Sequence, residues 1–500
     1  MRTKKAIANI ITSVLVQIIS IVYGFIIPKL IISTYGSNVN GLVTSITQFL
    51  AYIVLLESGF GPVIKSILFK PIANKDKNEI GKILKASERI FRTIAYIFIA
   101  YIIILCAVLP FVLENDFSPL YTVSLIIIIA ISTFAEYYFG MTYSIFLQAD
   151  QKKYIISIIQ IGTLILNTAI ILLLVNLNCS IQIVKLASCL IFVLRPILQN
   201  IYVKKKYNIN LKNIDSGYKI KQKWDGLVQH LAYVVYTNTD VVILTVCTNL
   251  KEVSVYSVYL LITDGLKRIV QSFAGGIDAT FGDMIAKGEQ DNLNKKFKLY
   301  EGIYITISTI AFCSTLFLIV PFVKLYTKGI NDANYIRPVF AYLIVIAEFV
   351  YIIRQLYYDL VKVAGHFKQT KKGAYIEAIS NIVVSFSLVW NFGLIGVAIG
   401  TLVAMTIRTI EIIFYTSKNI LNRNVWYTYK RIIVSAFEFI IVAIIINLIP
   451  CVEIKGYMEW IIQAIITVSV SSVIVISVNS LMYKDNVKDI IRLVDIKYTK

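Results

Sequence analysis

The chain has 500 residues, 57% of them hydrophobic, with only 16% charged and a mean hydropathy of +0.74. A water-soluble chain carries about 25% charged residues, and apolar runs such as 97–112, 124–134 and 461–478 are too long and too frequent for a soluble core. A net charge of +20 invites a nucleic-acid reading, but the basic residues sit in short loops between apolar runs, where they orient helices and meet anionic headgroups, so no nucleic-acid partner is expected.

A helix that spans the bilayer needs about 20 mostly apolar residues. Continuous runs exclude the alternating strands of a barrel. The pattern predicts an all-α integral membrane protein with about fourteen transmembrane helices, at 7–32, 40–64, 93–113, 119–147, 154–175, 181–203, 226–248, 254–281, 299–320, 338–363, 374–390, 394–416, 432–449 and 459–482. The first run follows a basic start, Met1 to Lys5, but is long and lacks a small-residue cleavage site, so it reads as an uncleaved first span. With a cytoplasmic N-terminus, loops on the cytoplasmic side hold 36 basic residues against six on the other side. That asymmetry predicts a multi-pass membrane protein with both termini cytoplasmic.

No loop is long enough for a soluble catalytic domain, and no G-x-x-x-x-G-K-[ST] phosphate loop is present. The chain is therefore read as a non-enzyme without cofactors. Six scattered cysteines and two distant histidines, His230 and His366, lack metal-ligand spacing.

The chain repeats at an offset near 215 residues. Lys152-Lys153-Tyr154-Ile155 opens the fifth span and Lys371-Lys372 with Tyr375-Ile376 opens the eleventh; Val175-Asn176-Leu177 and Trp390-Asn391-Phe392 end them; Arg195 matches Arg408. Each half holds six spans, so the repeats are parallel. The organisation predicted is an N-terminal six-helix lobe over 1–203, a basic cytoplasmic linker over 204–223, a second six-helix lobe over 224–417, and a C-terminal helix pair with a tail over 418–500.

The sequence resembles the polysaccharide flippases of the multidrug/oligosaccharidyl-lipid/polysaccharide exporter superfamily. The resemblance rests on Tyr35-Gly36-Ser37-Asn38-Val39-Asn40-Gly41, Glu57-Ser58-Gly59-Phe60-Gly61, the charged loop 73–79, and Asp240-Val241-Val242-Ile243-Leu244. It implies two six-helix lobes around a central cavity and export of an oligosaccharide carried on polyprenyl diphosphate. Expected partners are that substrate, membrane lipids and other polysaccharide assembly proteins. A cation-coupled multidrug exporter of the same fold is the rival reading.

Ionisable residues inside spans are costly and mark pathways or partner helices. Asp264, Lys267, Arg268 and Gln271 share one helical face, as either a cationic stripe for the diphosphate or an internal Asp264–Arg268 pair. Glu348, Tyr351, Gln355, Asp359 and Lys362 share another face, flanked by Arg354 and Tyr358. Arg354 is placed in the cavity with Tyr351 and Gln355, whereas Asp359 and Lys362 read as a local pair. Asn9, Ser13, Gln17, Ser20 and Gly24 form an uncharged stripe, fit for the cavity or for helix packing. His230, Tyr233, Thr237 and Asp240 share a face; Asp240, Glu57 and Asp264 are the candidates for coupling to a proton or sodium gradient. Arg195 and Arg408, near the cytoplasmic ends of their spans, are expected to snorkel to the headgroups.

Overall fold

The computed structural model describes residues 2–57, 59–113, 116–207, 218, 220, 238–272, 277–449 and 453–484. The expected residues His230, Tyr233 and Thr237, most of the linker and most of the C-terminal tail lie outside the described residues. Every regular element among the described residues is helical: α1 (Arg2–Tyr35), α2 (Ser37–Ala51), α3 (Val54–Glu57), α4 (Gly61–Asn74), α5 (Lys77–Val112), α6 (Pro119–Ala135), α7 (Met141–Ala149), α8 (Lys153–Asn176) and α9 (Ile181–Tyr207). These are followed by α10 (Asn238–Cys247), α11 (Leu250–Ser272), α12 (Ile277–Lys287), α13 (Gln290–Tyr326), α14 (Pro338–Val363), α15 (Lys371–Phe392), α16 (Leu394–Asn419), α17 (Trp426–Leu448) and α18 (Tyr457–Met482).

Twelve of the described helical segments are long and apolar enough to cross a membrane, so the chain is a multi-pass membrane protein. The remaining two expected spans fall on α10 and α11. Only residues 238–248 of the first are described, and Asp264, Lys267 and Arg268 depress the hydropathy of the second. The expected second span is divided: the helix breaks at Tyr52 and Ile53, continues as the short α3, and starts again at Gly61 with Pro62 in its first turn, where a proline's missing N–H costs nothing. The fourth carries a π-helical turn, Glu136–Gly140, between α6 and α7.

The described residues fall into two compact units that divide after Ser254. Within each, the order of elements recurs. A short helix (α4, α12) ends at a left-handed residue, Lys75 at φ 57° or Gly288 at φ 69°. A helix of 36 or 37 residues follows (α5, α13), then one opened by proline (α6, α14), then an antiparallel pair (α8–α9, α15–α16). Asp76 caps α5 by accepting from the backbone N–H groups of Asn78 and Glu79.

Apolar side chains lie on the outside as well as in the core, and small polar ones are buried among them. Phe111 and Leu120 are about four-fifths exposed, as lipid-facing residues are, while Ser87, Ser308 and Thr309 are wholly buried. Their hydroxyls donate to carbonyls one turn back (Ser87 to Ile83, 2.8 Å; Ser308 to Tyr304, 2.7 Å), so burial leaves no unpaired donor. In the second unit, α15 and α16 pack closely because Gly396 and Gly400 face backbone and side-chain atoms of Leu388 and Ser385. A Cβ at Gly400 would lie 2.0 Å from Ser385 Oγ.

Candidate functional site

The densest array of ionised side chains inside the apolar spans lies in the second unit, on α11, α14, α15 and α16. Lys267 lies between Asp264, one turn back on α11, and Glu348 on α14, with Nζ–O distances of 2.7 and 2.8 Å. Its ammonium also lies 5.3 Å from the centroid of the Tyr351 ring, and the guanidinium of Arg354 lies 4.7 Å from the same ring. The Tyr351 ring is thus shared by a cation from α11 and one from α14. Arg354 is ion-paired to Glu377 on α15. Glu377 in turn accepts the charge of Arg408 on α16 (3.4 Å), and Arg408 pairs with Glu411 at 2.5 Å and donates to the carbonyl of Thr370 at 2.9 Å. The array runs Asp264, Lys267, Glu348, the Tyr351 ring, Arg354, Glu377, Arg408, Glu411.

Buried charges persist only when paired and hydrogen-bonded, and the alternation of sign along the array meets that condition. Its accessible end is Asp264, whose side chain is 48% exposed against 3% for Glu348. Lys267 consequently has one partner that water can displace and one that it cannot. Arg268 is exposed and makes no ion pair among the described residues, because Asp264 turns to Lys267 instead. Gln271 is partly buried on the same helix. Gln355 donates to Asp359 (2.7 Å), which also pairs with Lys362 at 2.5 Å.

The remaining expected residues lie in the first unit. Asn9 donates to the carbonyl of Gln151 (3.0 Å) and accepts from the N–H of Tyr154 (2.7 Å), so it ties α1 to the start of α8. Gln17 is partly buried on α1. Asp240 is buried in the first turn of α10 beside Tyr52. Glu57 accepts from the hydroxyl of Tyr137, at 3.0 Å, within the π-helical turn. Glu57 and Asp240 thus have different neighbours.

Two arginines depart from expectation. Arg408 does not snorkel: it is 2% exposed, because Glu377 and Glu411 neutralise it where it stands. Arg195 turns to Thr163 on α8, its Nε donating at 2.7 Å, with its guanidinium 4.2 Å from the Phe192 centroid. Glu377 and Glu411 were not singled out from sequence. The available signal was a lone carboxylate in an apolar run.

Near the span ends, each unit has a polar fastening. In the first, Asp150 pairs with Lys152 (2.9 Å) and Lys5 (3.3 Å) and accepts from Tyr207. Burial pushes its carboxyl up, but hydrogen bonds from Tyr207 and Lys152 and the charges of Lys152 and Lys5 outweigh it and hold the group below the ordinary aspartate value. In the second, Arg423 grips Glu301 with two nitrogens at 2.9 and 2.7 Å, a bidentate geometry.

No family model matches the chain, and no curated protein matches its sequence. Several solved structures match its fold. The lipid II flippase MurJ in an inward closed conformation superposes with a TM-score of 0.69 at 15% identity, covering 96% of this chain and 100% of that one. An inward-facing multidrug resistance MATE family transporter of the MOP superfamily gives 0.65 at 12% identity, covering 79% and 94%. The eukaryotic MATE transporter AtDTX14 gives 0.59 at 12% identity, covering 86% and 98%. The chain has the fold shared by these transporters and flippases.

Proposed function

We propose that the chain is a flippase that moves a polyprenyl-diphosphate-linked oligosaccharide from the cytoplasmic to the outer face of a bacterial plasma membrane by alternating access, in the assembly of cell-surface polysaccharide. The observation that carries this reading is the end-to-end match to a lipid flippase. The inward-facing multidrug transporter leaves about a fifth of this chain unmatched.

The array on α11 and α14 supplies a chemistry for the headgroup. A diphosphate arriving at Arg268 meets a guanidinium with no ion pair among the described residues, and a guanidinium binds phosphate oxygens bidentately. It then competes with the exposed Asp264 for Lys267, while Glu348 stays in place. Exchange of a carboxylate for a phosphate keeps the buried ammonium paired throughout. Tyr351 and Gln355 line the same helix face for sugar hydroxyls, and Gln271, Asn9 and Gln17 are further polar contacts in this reading. Asp240, Glu57 and Asp264 are the groups proposed to couple the cycle to an ion gradient.

The test reconstitutes the full chain in liposomes with a polyprenyl-diphosphate oligosaccharide and reads its exposure to an impermeant glycosidase. Protein-dependent exposure, lost in Arg268→Ala and retained in Lys287→Ala, is the expected result. No exposure from correctly folded protein overturns the reading. Accumulation or efflux of a cationic dye under an imposed gradient, with no lipid movement, supports the multidrug exporter instead; the neutralised array, with four carboxylates for three buried cations, is the observation that favours that second reading.

A further inference from the structure

A groove of about 530 Å³ lies in the first unit between α8 and α9. Ile158 and Ile159 of α8 and Leu198 and Ile201 of α9 wall it, and Tyr202, Lys205 and Lys206 line one end. Along α9 these residues fall at i, i+3, i+4, i+7 and i+8, which is one helical face. That face is apolar for its first turn and basic in its last. Ile158, Leu198 and Ile201 are between 44% and 52% exposed, so the groove opens outward from the helix pair. Its volume falls in the range of small-molecule sites, about 300–1,000 Å³. Lys206 stands about 12 Å along the helix axis from Leu198, which separates a charged end from an apolar one.

The bases at this end of the unit differ in their partners. Lys5 and Lys152 are taken by Asp150, and the ammonium of Lys204 lies 5.8 Å from the centroid of the Tyr143 ring. Lys205 and Lys206 are exposed and make no ion pair among the described residues. The second unit does not repeat the groove's chemistry. Leu198 is the eighteenth residue of α9, and the eighteenth of α16 is Glu411, which holds Arg408. A carboxylate and its arginine thus stand where the first unit offers an apolar wall.

Both α8 and α9 are long and apolar enough to cross a membrane. The bilayer core holds no water, so an apolar groove that opens outward from such helices is filled by hydrocarbon. The charge at its end selects the headgroup that carries this hydrocarbon. Basic pockets between transmembrane helices take anionic headgroups, and a lysine ammonium is a point charge for a phosphate oxygen. A zwitterionic headgroup brings its own cation beside the lysines and gains less. Tyr202, one turn before Lys206, has the amphipathic ring found where hydrocarbon gives way to headgroups. We infer that the α8–α9 groove binds an anionic phospholipid, with one tail against Ile158, Ile159, Leu198 and Ile201 and the phosphate at Lys205 and Lys206. The site follows from the spanning helices and is independent of what the chain transports.

The test measures no transport, so it stands or falls apart from the flippase reading. The full chain in detergent is titrated with phosphatidylglycerol, or with phosphatidylcholine of the same tails, and bound lipid is counted by native mass spectrometry. Phosphatidylglycerol should bind saturably and the more tightly of the two. Each lysine beside an anionic headgroup is worth about 5-fold in affinity. Lys205→Gln combined with Lys206→Gln should therefore weaken phosphatidylglycerol about 30-fold and leave phosphatidylcholine nearly unchanged. Leu198→Trp, which fills the groove, should weaken both lipids, and Lys287→Ala, an exposed lysine of the other unit, should weaken neither. The substituted side chains are exposed, so folding is not at stake. Phosphatidylglycerol binding no tighter than phosphatidylcholine, or unchanged in the double variant, overturns the inference. So does its displacement by polyprenyl diphosphate, which would make the groove part of a transport path.

Discussion

Arg195 and Arg408 are each the fifteenth residue of the last helix in their repeated half, α9 and α16. In the second unit the guanidinium is neutralised twice, by Glu377 and Glu411. In the first it makes no ion pair among the described residues, and one of its nitrogens, Nη2, is buried without a partner. The difference traces to two positions, one on the preceding helix and one on the same helix, where Glu411 stands three residues after Arg408 and Leu198 three residues after Arg195. Thr163 on α8 and Glu377 on α15 stand 214 residues apart, as do Asn167 and Asn381 one turn on, so the repeat itself aligns threonine with glutamate. The order of helices recurs in both units, and two residues in that frame, Glu377 and Glu411 against Thr163 and Leu198, decide whether its arginine is a structural ion pair or a cation held by a hydroxyl and a ring.

The most damaging way to break this contrast is Glu377→Thr, which gives the second unit the first unit's residue. It strips a partner from Arg354 and from Arg408, both more than nine-tenths buried. Removing one member of a buried pair costs about 3–5 kcal/mol, so the detergent-solubilised protein should unfold at markedly lower denaturant. A retained midpoint would show that water or Glu411 replaces the lost carboxylate. Thr163→Ala acts on the other side of the comparison. It removes the Arg195 hydrogen bond and should cost about 1.5–3 kcal/mol, the range for a bond to a charged group, measured in the same denaturation series.

The fastenings near the span ends sharpen the comparison by pH. Asp150 is held below its ordinary value, so its carboxylate is better stabilised folded than unfolded. That contribution is complete above the unfolded value of about 4 and is lost as pH falls through the folded one. Asp150→Asn should abolish this portion of acid sensitivity, and thermal unfolding followed across acidic pH tests it. An unchanged acid limb would mean other carboxylates govern it. The smallest effect belongs to Lys287→Ala. Its partner Asp283 is exposed, as is Lys287 itself, and solvent screens such pairs, so the unfolding midpoint should not move measurably.

Much of the fold was legible in the sequence because the bilayer imposes a simple rule. Backbone groups must be satisfied within each spanning segment, so length and hydropathy alone located the helices, and the repeat was visible in Lys152–Lys153 against Lys371–Lys372. The faces carrying Lys267 and Tyr351 were legible too, since helical spacing fixes which side chains lie together on one helix. What spacing on one helix cannot reveal is the partner on another. Lys267 reaching Glu348, Glu377 joining Arg354 to Arg408, and Glu438 meeting Asn479 are contacts between residues brought together by packing, 23 to 81 positions apart in the chain. In a medium of low dielectric those partners decide whether a side chain is a neutralised strut or an open ligand, and only the tertiary structure chooses them.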